Sequence, residues 1–263
     1  MIFLFFVCIT GWVFWSLYGC CAYRHRAVAG KTVLIIGGSS PLGRCLVMRF
    51  LQLGAKVIVW DGDKGRLNKL VEEFGPTNPN QDEEGECTLG DDTHLTPKMM
   101  ETCKDEQFSM SVVDLASRVQ LQRAAKRLGS VHIIVNAADL CGSRHFFDRS
   151  DESSERILLS NALCSIVLAR ALLPGMLQQK DGHFVTITSA AGVMGNAKHP
   201  DYAASHWASV GAHESLQLLI REMKGSRNVR TTLCCSFSSF RAASTVPRFS
   251  FVDENQLVDE KKN

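Results

Sequence analysis

The sequence predicts an α/β fold in which helices cover both faces of a doubly wound, parallel sheet of about six strands. From Lys31 onward, short apolar runs rich in β-branched residues alternate with longer amphipathic stretches, the pattern of alternating strands and helices. The first strand, helix and strand follow one another closely, which implies a right-handed crossover between parallel neighbours.

Strands and helices alternate along the whole of the predicted domain. Length and β-branching mark the runs TVLII and KVIVW as buried strands, and similar runs give the full set of predicted strands: Thr32 to Ile36, Lys56 to Trp60, Phe108 to Val113, Val131 to Asn136, His183 to Thr188 and Arg230 to Cys235. Longer amphipathic stretches are predicted helices: Leu42 to Leu53, Lys64 to Phe74, Ser117 to Leu128, Ser153 to Gln179 and Asp201 to Lys224. Residues 75–107 hold turn residues and acids with little apolar content, and we expect a mobile insertion there.

Composition bounds the class of protein. The 263 residues are enough for one α/β domain with an appendage. A formal net charge of +2, with both signs spread along the chain, gives no basic footprint for nucleic acid. The ten cysteines show no CxxC spacing and no histidine at metal-site intervals. They are predicted to be reduced thiols of a cytosol-facing domain without a metal site.

The N-terminus predicts a membrane anchor. The first 23 residues contain no charged side chain, and Arg24-His25-Arg26 follows them. As a helix this stretch would span about 30 Å, enough for a bilayer core. We therefore expect a transmembrane helix at 1–23, a basic linker at 24–30 and a domain at 31–263 that the positive-inside rule leaves in the cytoplasm. A cleaved signal peptide is the alternative, although it would have a cationic start and a shorter apolar region.

A glycine-rich turn follows the first strand and opens the first helix. Backbone N–H groups and a helix N-terminus in such a turn face a pyrophosphate. Asp61 ends the second strand, where a carboxylate accepts hydrogen bonds from the adenosine ribose of NAD and repels the 2′-phosphate of NADP. Ordinary turn roles are the alternative in both places. The predicted cofactor is NAD, with NADP less favoured, and the predicted contacts from these two segments are Gly37, Ser39, Ser40, Leu42, Gly43 and Asp61.

A polar constellation lies later in the chain, in the run ITSAAGVMGNAKHPDYAASH that ends at His206. Ser189 ends a predicted strand, and Tyr202 follows thirteen residues later. His206 stands four residues beyond Tyr202, so the two share one face of a predicted helix.

These segments, with GHFVTITSAAG, DYAASHWASVGAHESL and ARALLPGML, resemble the short-chain dehydrogenase/reductase family, in particular its membrane-bound retinol dehydrogenase and 17β-hydroxysteroid dehydrogenase branch. The resemblance implies a Rossmann-type, nicotinamide-dependent oxidoreductase of lipid metabolism that acts on a retinoid- or steroid-like alcohol or carbonyl. It also implies anchoring at the endoplasmic reticulum or a lipid droplet, with the catalytic domain facing the cytoplasm, and a homo- or hetero-oligomer.

The resemblance implies roles for single residues. Tyr202 is expected to be the acid/base on the substrate oxygen, Ser189 to polarise that oxygen and Asn161 to anchor a water. His206 stands where the family has a lysine that binds the nicotinamide ribose. The alternatives are structural roles: a strand end for Ser189, a half-buried helix position for Tyr202, a cap or kink of a helix for Asn161 and a satisfied surface histidine for His206. The remaining expected cofactor contacts are Tyr202 and His206 themselves, an adenine-contacting aspartate, and two residues of the motif after the fourth strand: Asp114, Asn136 and Ala138. Capping of the following helix is the alternative role of Asp114.

The sequence also departs from the family pattern. Pro41 and Asp139 replace glycines, and His206 replaces the lysine whose charge lowers the tyrosine pKa. A histidine is mostly uncharged at pH 7 unless a neighbouring acid keeps it protonated. The chain also ends before the seventh strand that the family leads us to expect. A catalytically impaired pseudoenzyme that partners active relatives is therefore the alternative to an active enzyme.

Overall fold

The computed structural model describes residues 28–74, 107–142, 145–223 and 226–236. The predicted anchor at 1–23, most of the basic linker and the C-terminal residues from 237 lie outside the described residues. The predicted insertion at 75–107 also lies outside them, apart from Gln107.

Six parallel strands form one sheet in the order β3-β2-β1-β4-β5-β6. The strand order reverses between β1 and β4, where Ile36 pairs with Asn136. This is the topological switch point, at whose carboxyl edge ligands bind in such folds. The predicted six-stranded parallel sheet is confirmed, and its strands are β1 (Thr32–Ile36), β2 (Lys56–Asp61), β3 (Phe108–Val112), β4 (Ile133–Asn136), β5 (Gly182–Ser189) and β6 (Val229–Ser236).

The helices lie close to their predicted positions, with one exception. The stretch predicted as a single helix from Ser153 begins at Asp151 and is interrupted by a π-helical turn at Leu159–Leu163. Single turns of 3₁₀ helix occur at Phe146–Asp148, Ala190–Gly192 and Ser226–Asn228. The α-helices are α1 (Pro41–Gln52), α2 (Lys64–Phe74), α3 (Arg118–Arg127), α4 (Asp151–Leu158), α5 (Cys164–Gln179) and α6 (Pro200–Glu222).

Each face of the sheet has its own hydrophobic core, because successive side chains of a strand point to opposite faces. On β1, Leu34 and Ile36 belong to the core shared with α3 and α5, whereas Val33 and Ile35 belong to the core shared with α1 and α2. All four side chains are fully buried. The TVLII run is therefore the centre of a sheet covered on both sides, as its unbroken apolar character predicts.

One helical stretch in the described part of the chain is long and apolar enough to cross a membrane. It is the 29-residue stretch Asp151–Gln179, whose most apolar window has a mean hydropathy of 1.8. Of that window, 61% is buried inside the fold, where Leu168 and Met176 join the core beside Phe184. This burial is typical of a core helix and gives only weak support to a membrane span.

The buried His213 on α6 predicts a loss of stability in mild acid. Its Nδ1 lies 2.9 Å from Thr186 Oγ1 on β5, and burial lowers its pKa, with Glu214 opposing and His183 adding to that shift. The unfolded chain therefore binds a proton at His213 more readily than the folded chain does. The stability that the buried, neutral His213 contributes is complete above about pH 6.5 and is lost as the pH falls below it. In denaturant unfolding, the free energy of unfolding of His213→Gln should fall less between pH 7 and pH 5 than that of the wild type. The exposed control His145→Gln should show the same dependence on pH as the wild type. Equal slopes in all three proteins would contradict the prediction.

Candidate active site

Two glycines shape the turn after β1. Gly37 has a φ of 74°, and a Cβ there would lie 2.7 Å from the carbonyl oxygen of Ala137 after β4. A Cβ at Gly43 would lie 2.4 Å from the Gly37 oxygen. Only glycine permits both the left-handed backbone and these approaches. The turn therefore packs tightly against the switch point and the start of α1.

Ser40 is the N-cap residue of α1, and Pro41 follows it. Its Oγ accepts the Gly43 N–H at 3.0 Å and donates to the Gly37 oxygen at 2.9 Å. Pro41 is the first helical residue, where a missing N–H costs nothing and a fixed φ suits the helix. The departure from the family glycine at Pro41 is thus compatible with the turn.

Asp61 fastens the turn to the end of β2. Its Oδ2 accepts hydrogen bonds from the Ser39 backbone N–H at 3.2 Å and the Ser39 Oγ at 2.6 Å. Its Oδ1 accepts the Asp63 N–H at 3.0 Å. The carboxylate thus stands at the sheet edge beside the glycine turn, where the sequence predicts a ribose contact.

A cavity of about 550 Å³ opens at this edge of the sheet. That volume lies within the range of small-molecule sites. The glycine turn, the N-terminus of α1 and a strand-end carboxylate on its walls fit a dinucleotide. The predicted cofactor contacts that line it are Gly37, Ser40, Asp61, Asp114 and Ala138. The other predicted contacts do not line it: Ser39, Leu42, Gly43, Asn136, Tyr202 and His206.

Asp114 and Asn136 have structural partners. Asp114 Oδ1 accepts the Ala116 N–H at 3.1 Å and pairs with Arg156 at 2.8 Å. Ser117, not Asp114, caps α3. Asn136 is buried; its Oδ1 accepts the Ala138 N–H at 3.2 Å, and its Nδ2 donates to Ser165 on α5. Asn136 therefore holds Ala138, which lines the cavity, against α5.

The phenol of Tyr202 lies at one end of this edge and donates a hydrogen bond to Asp139 Oδ1 at 2.7 Å. Only 4% of Tyr202 is exposed. Burial raises the pKa of Tyr202, the negative charge of Asp139 raises it further, and the Ser189 hydroxyl opposes the shift. The phenol is therefore protonated at neutral pH.

His206 packs beside Tyr202, with 4.3 Å between the ring centroids. Its Nδ1 lies 3.2 Å from the backbone nitrogen of Ser189 and 2.8 Å from Thr188 Oγ1. A backbone N–H can only donate, so Nδ1 is the acceptor and the ring proton lies on Nε2. Nε2 is 3.3 Å from Asp139 Oδ1, in electrostatic contact but not aligned as a hydrogen bond. His206 thus presents a ring N–H toward Asp139 where the family has a lysine ammonium.

Ser189 and Asn161 complete the predicted constellation. Ser189 is buried at the end of β5, and its Oγ accepts the Ala191 N–H at 3.3 Å. Asn161 lies in the π-helical turn; its amide donates to the Leu140 oxygen at 2.8 Å and Ser205 Oγ at 3.0 Å, and its oxygen accepts the Leu140 N–H at 2.7 Å. Its side chain thus fastens the segment after β4 to α6, and its role toward a water stays a prediction.

A buried ion pair supports the start of α6. The Arg149 guanidinium binds the Asp201 carboxylate, with only 2% and 5% of the two side chains exposed. Asp201 also accepts hydrogen bonds from Ser154 Oγ at 2.9 Å and from the Tyr202 backbone N–H at 2.8 Å. Burial pushes the pKa of Asp201 upward, but the bonds from Arg149 and Ser154 outweigh it and hold that pKa below its usual value.

The sequence did not reveal every part of this site. Asp139 stood out as a departure, yet nothing in the sequence brings it to Tyr202. The only sequence signal for an acidic residue here is His206, because a histidine in the lysine position is charged at pH 7 only beside an acid. Arg149 and Thr188 carry no local signal, since their partners are distant in the chain.

The sheet order, the cavity at the switch point and the neighbouring hydroxyls of Ser189 and Tyr202 define an α/β protein of the Rossmann type. Residues 90–236 match the family described as short chain dehydrogenase. The chain belongs to the short-chain dehydrogenase/reductase family, in its retinol dehydrogenase branch. The family and branch predicted from the sequence are confirmed, and the fold implies use of a nicotinamide cofactor.

Curated relatives support this placement. The chain is 31% identical over 224 residues to short-chain dehydrogenase/reductase family 16C member 6 of Bos taurus, with 81% of this chain and 60% of the relative covered. It is 29% identical to retinol dehydrogenase 10-B of Danio rerio (81% and 62% covered) and 31% identical to epidermal retinol dehydrogenase 2 of Homo sapiens (81% and 62% covered). The chain thus spans about three fifths of the length of these relatives.

Solved structures share the fold. A metagenomic short-chain oxidoreductase in complex with NADP superposes with a TM-score of 0.63 at 20% identity, covering 84% of this chain and 87% of that one. L-sorbose reductase from Gluconobacter frateurii, complexed with NADPH and L-sorbose, gives 0.60 at 20% identity, with 79% and 69% covered. The preference for NAD over NADP stays a prediction.

Proposed function

We propose that this chain is an oxidoreductase that interconverts a lipophilic alcohol and its carbonyl with a nicotinamide cofactor. One observation carries the proposal: the cavity reaches from Gly37 and Asp61 to Asp139, and Asp139 accepts the hydrogen bond of Tyr202. Asp139 therefore links the cofactor-sized cavity to the acid/base phenol, which does not itself line the cavity. Ser189 stands beside the phenol, where it can hold a substrate oxygen.

The cofactor would be held by the residues around the glycine turn. Backbone groups near Gly37 and Ser40, with the N-terminus of α1, suit a pyrophosphate. The Asp61 carboxylate suits ribose hydroxyls and disfavours a 2′-phosphate, which supports NAD over NADP. When bound, the nicotinamide supplies the hydride acceptor or donor. The chain's own residues hold the substrate oxygen and move its proton.

A retinoid- or steroid-like substrate is the finer part of the proposal. The curated relatives include proteins named retinol dehydrogenases. The predicted anchor at 1–23 would hold the domain beside substrate dissolved in a membrane, at the endoplasmic reticulum or a lipid droplet and on its cytoplasmic side. Both features support a lipophilic alcohol over a soluble sugar or amino acid.

Cofactor titration followed by turnover tests this function. We expect the full chain in detergent to bind NADH at least about tenfold more tightly than NADPH, because Asp61 repels the 2′-phosphate, and to oxidise all-trans-retinol or a 17β-hydroxysteroid. Asp61→Asn should reduce the preference for NADH, whereas the matched change Asp148→Asn on an exposed turn should not.

Two results would contradict the proposal. A protein that binds neither cofactor is not an oxidoreductase of this family's chemistry. Cofactor binding without turnover, under conditions where His206→Lys restores activity, would favour the pseudoenzyme alternative. That result would identify the absence of the family lysine as the cause of the lost activity.

A further inference from the structure

We propose that Asp139 is a catalytic residue of this chain, the group that takes the Tyr202 proton during alcohol oxidation and returns it during carbonyl reduction. The proposal rests on the proposed function and deepens it. It assigns a proton route to a site whose family lysine is replaced by His206.

Geometry at the phenol carries the inference. Tyr202 Oη donates to Asp139 Oδ1 at 2.7 Å, so the phenol proton is directed at a carboxylate. His206 Nε2 lies 3.3 Å from the same oxygen, and its proton gives that oxygen a second polar neighbour. A short contact between a hydroxyl and a carboxylate is the arrangement in which a proton transfers between two oxygens.

Tyr202 and Asp139, the two ends of the proton route, differ in solvent exposure. Tyr202 is 4% exposed, whereas the Asp139 side chain is 32% exposed and borders the cavity. The phenol therefore exchanges protons with water far less readily than the carboxylate does. A proton that reaches Asp139 is at the protein surface.

The other groups at the phenol explain why an acceptor is required. Asp139 and Cys141 face Tyr202 from the segment after β4, Ser189 faces it from β5, and His206 faces it from its own helix. None of these groups is a lysine or an arginine, so none of them replaces the permanent positive charge of the family lysine. A protonated phenol cannot take a second proton without releasing its own, and Asp139 is the group in hydrogen-bond contact that can receive it.

In oxidation, the substrate O–H bond breaks as its proton bonds to Tyr202 Oη, and the Tyr202 O–H bond breaks as its proton bonds to Asp139 Oδ1. A nicotinamide cofactor, held by the residues around the glycine turn, would supply the hydride acceptor for the substrate carbon. Asp139 then releases its proton to water. One alcohol becomes one carbonyl, with one hydride transferred and one proton released.

The first test measures the ionisation of the Tyr202 phenol and does not require turnover. The chain has three tyrosines, so a Tyr18→Phe, Tyr23→Phe background leaves Tyr202 as the only phenol, and absorbance near 295 nm reports its ionisation. In Asp139→Asn we expect the ionisation midpoint to fall by at least about one pH unit, because a neighbouring negative charge is removed. Asp148→Asn should not move it. An unchanged midpoint in folded Asp139→Asn would overturn the contact on which the route depends.

The second test reads the reaction. Asp139→Asn should lower kcat for oxidation about 100-fold or more, leave the NADH Kd within about threefold, and remove the acid limb of the kcat profile. Asp139→Glu keeps a carboxylate and should restore part of the rate. Wild-type activity in Asp139→Asn, with the wild type itself active, overturns the relay alone. No turnover in the wild type overturns the proposed function and the relay with it.

Discussion

Tyr202→Phe is expected to lower turnover by about 10²- to 10⁴-fold while the NADH Kd changes by no more than a few-fold. The substitution removes one oxygen atom and leaves the ring, which packs at 4.3 Å from the ring of His206. The rate falls because the substrate proton loses its acceptor and Asp139 loses the phenol through which it acts. Stability should change little, because the lost hydrogen bond is to a carboxylate that is one third exposed.

Steady-state kinetics with retinol or a 17β-hydroxysteroid measures this effect, and cofactor titration of the same protein separates chemistry from binding. Tyr23→Phe is the matched control, the same chemical change in the predicted membrane anchor, and it should retain wild-type turnover. Tyr202→Phe with wild-type kcat would mean that the Ser189 hydroxyl or another group handles the substrate proton.

The fold could be predicted from the sequence because its signals are local. The strand TVLII has the predicted bounds, Thr32–Ile36, since a buried parallel strand needs little more than a β-branched run between turn residues. The break at Leu159–Leu163 contains Asn161, where the sequence left a cap or kink of the helix as an alternative, but its π-helical form was not predictable in this way. The residues on both sides keep a helical pattern, and the extra residue of a π turn leaves no mark in composition. Its Asn161 bonds, to Leu140 and Ser205, are set by tertiary contact.

The site was predictable where spacing along the chain fixes geometry. Tyr202 and His206 lie one helical turn apart, so their ring contact follows from sequence. The charge state of the site did not follow, because it depends on Asp139, which is 63 residues from Tyr202 in the chain. The Ser189 N–H decides the His206 tautomer, and that bond also comes from the packing of α6 against β5. Family resemblance located the reactive groups, and tertiary electrostatics determines how they act.

The largest expected loss of stability comes from Arg149→Met, at about 3–5 kcal/mol. The substitution leaves the Asp201 carboxylate buried at 5% exposure without its guanidinium partner. Ser154 Oγ and the Tyr202 N–H remain as donors, but neither carries a charge. The double variant Arg149→Met, Asp201→Leu should recover much of the loss, because replacing both members of a buried pair by apolar groups removes the uncompensated charge.

Denaturant unfolding measures this cycle, and the exposed pair of Arg66 and Asp63 supplies its control. Those side chains are 59% and 41% exposed at a distance of 2.6 Å, so Arg66→Met should cost less than about 1 kcal/mol. The pair also sets the position of the reactive phenol, since Asp201 precedes Tyr202 and binds its backbone N–H. Arg149→Met should therefore lower kcat even where the protein remains folded, and a loss below about 1 kcal/mol with unchanged kcat would show that neither stability nor Tyr202 depends on the buried charge.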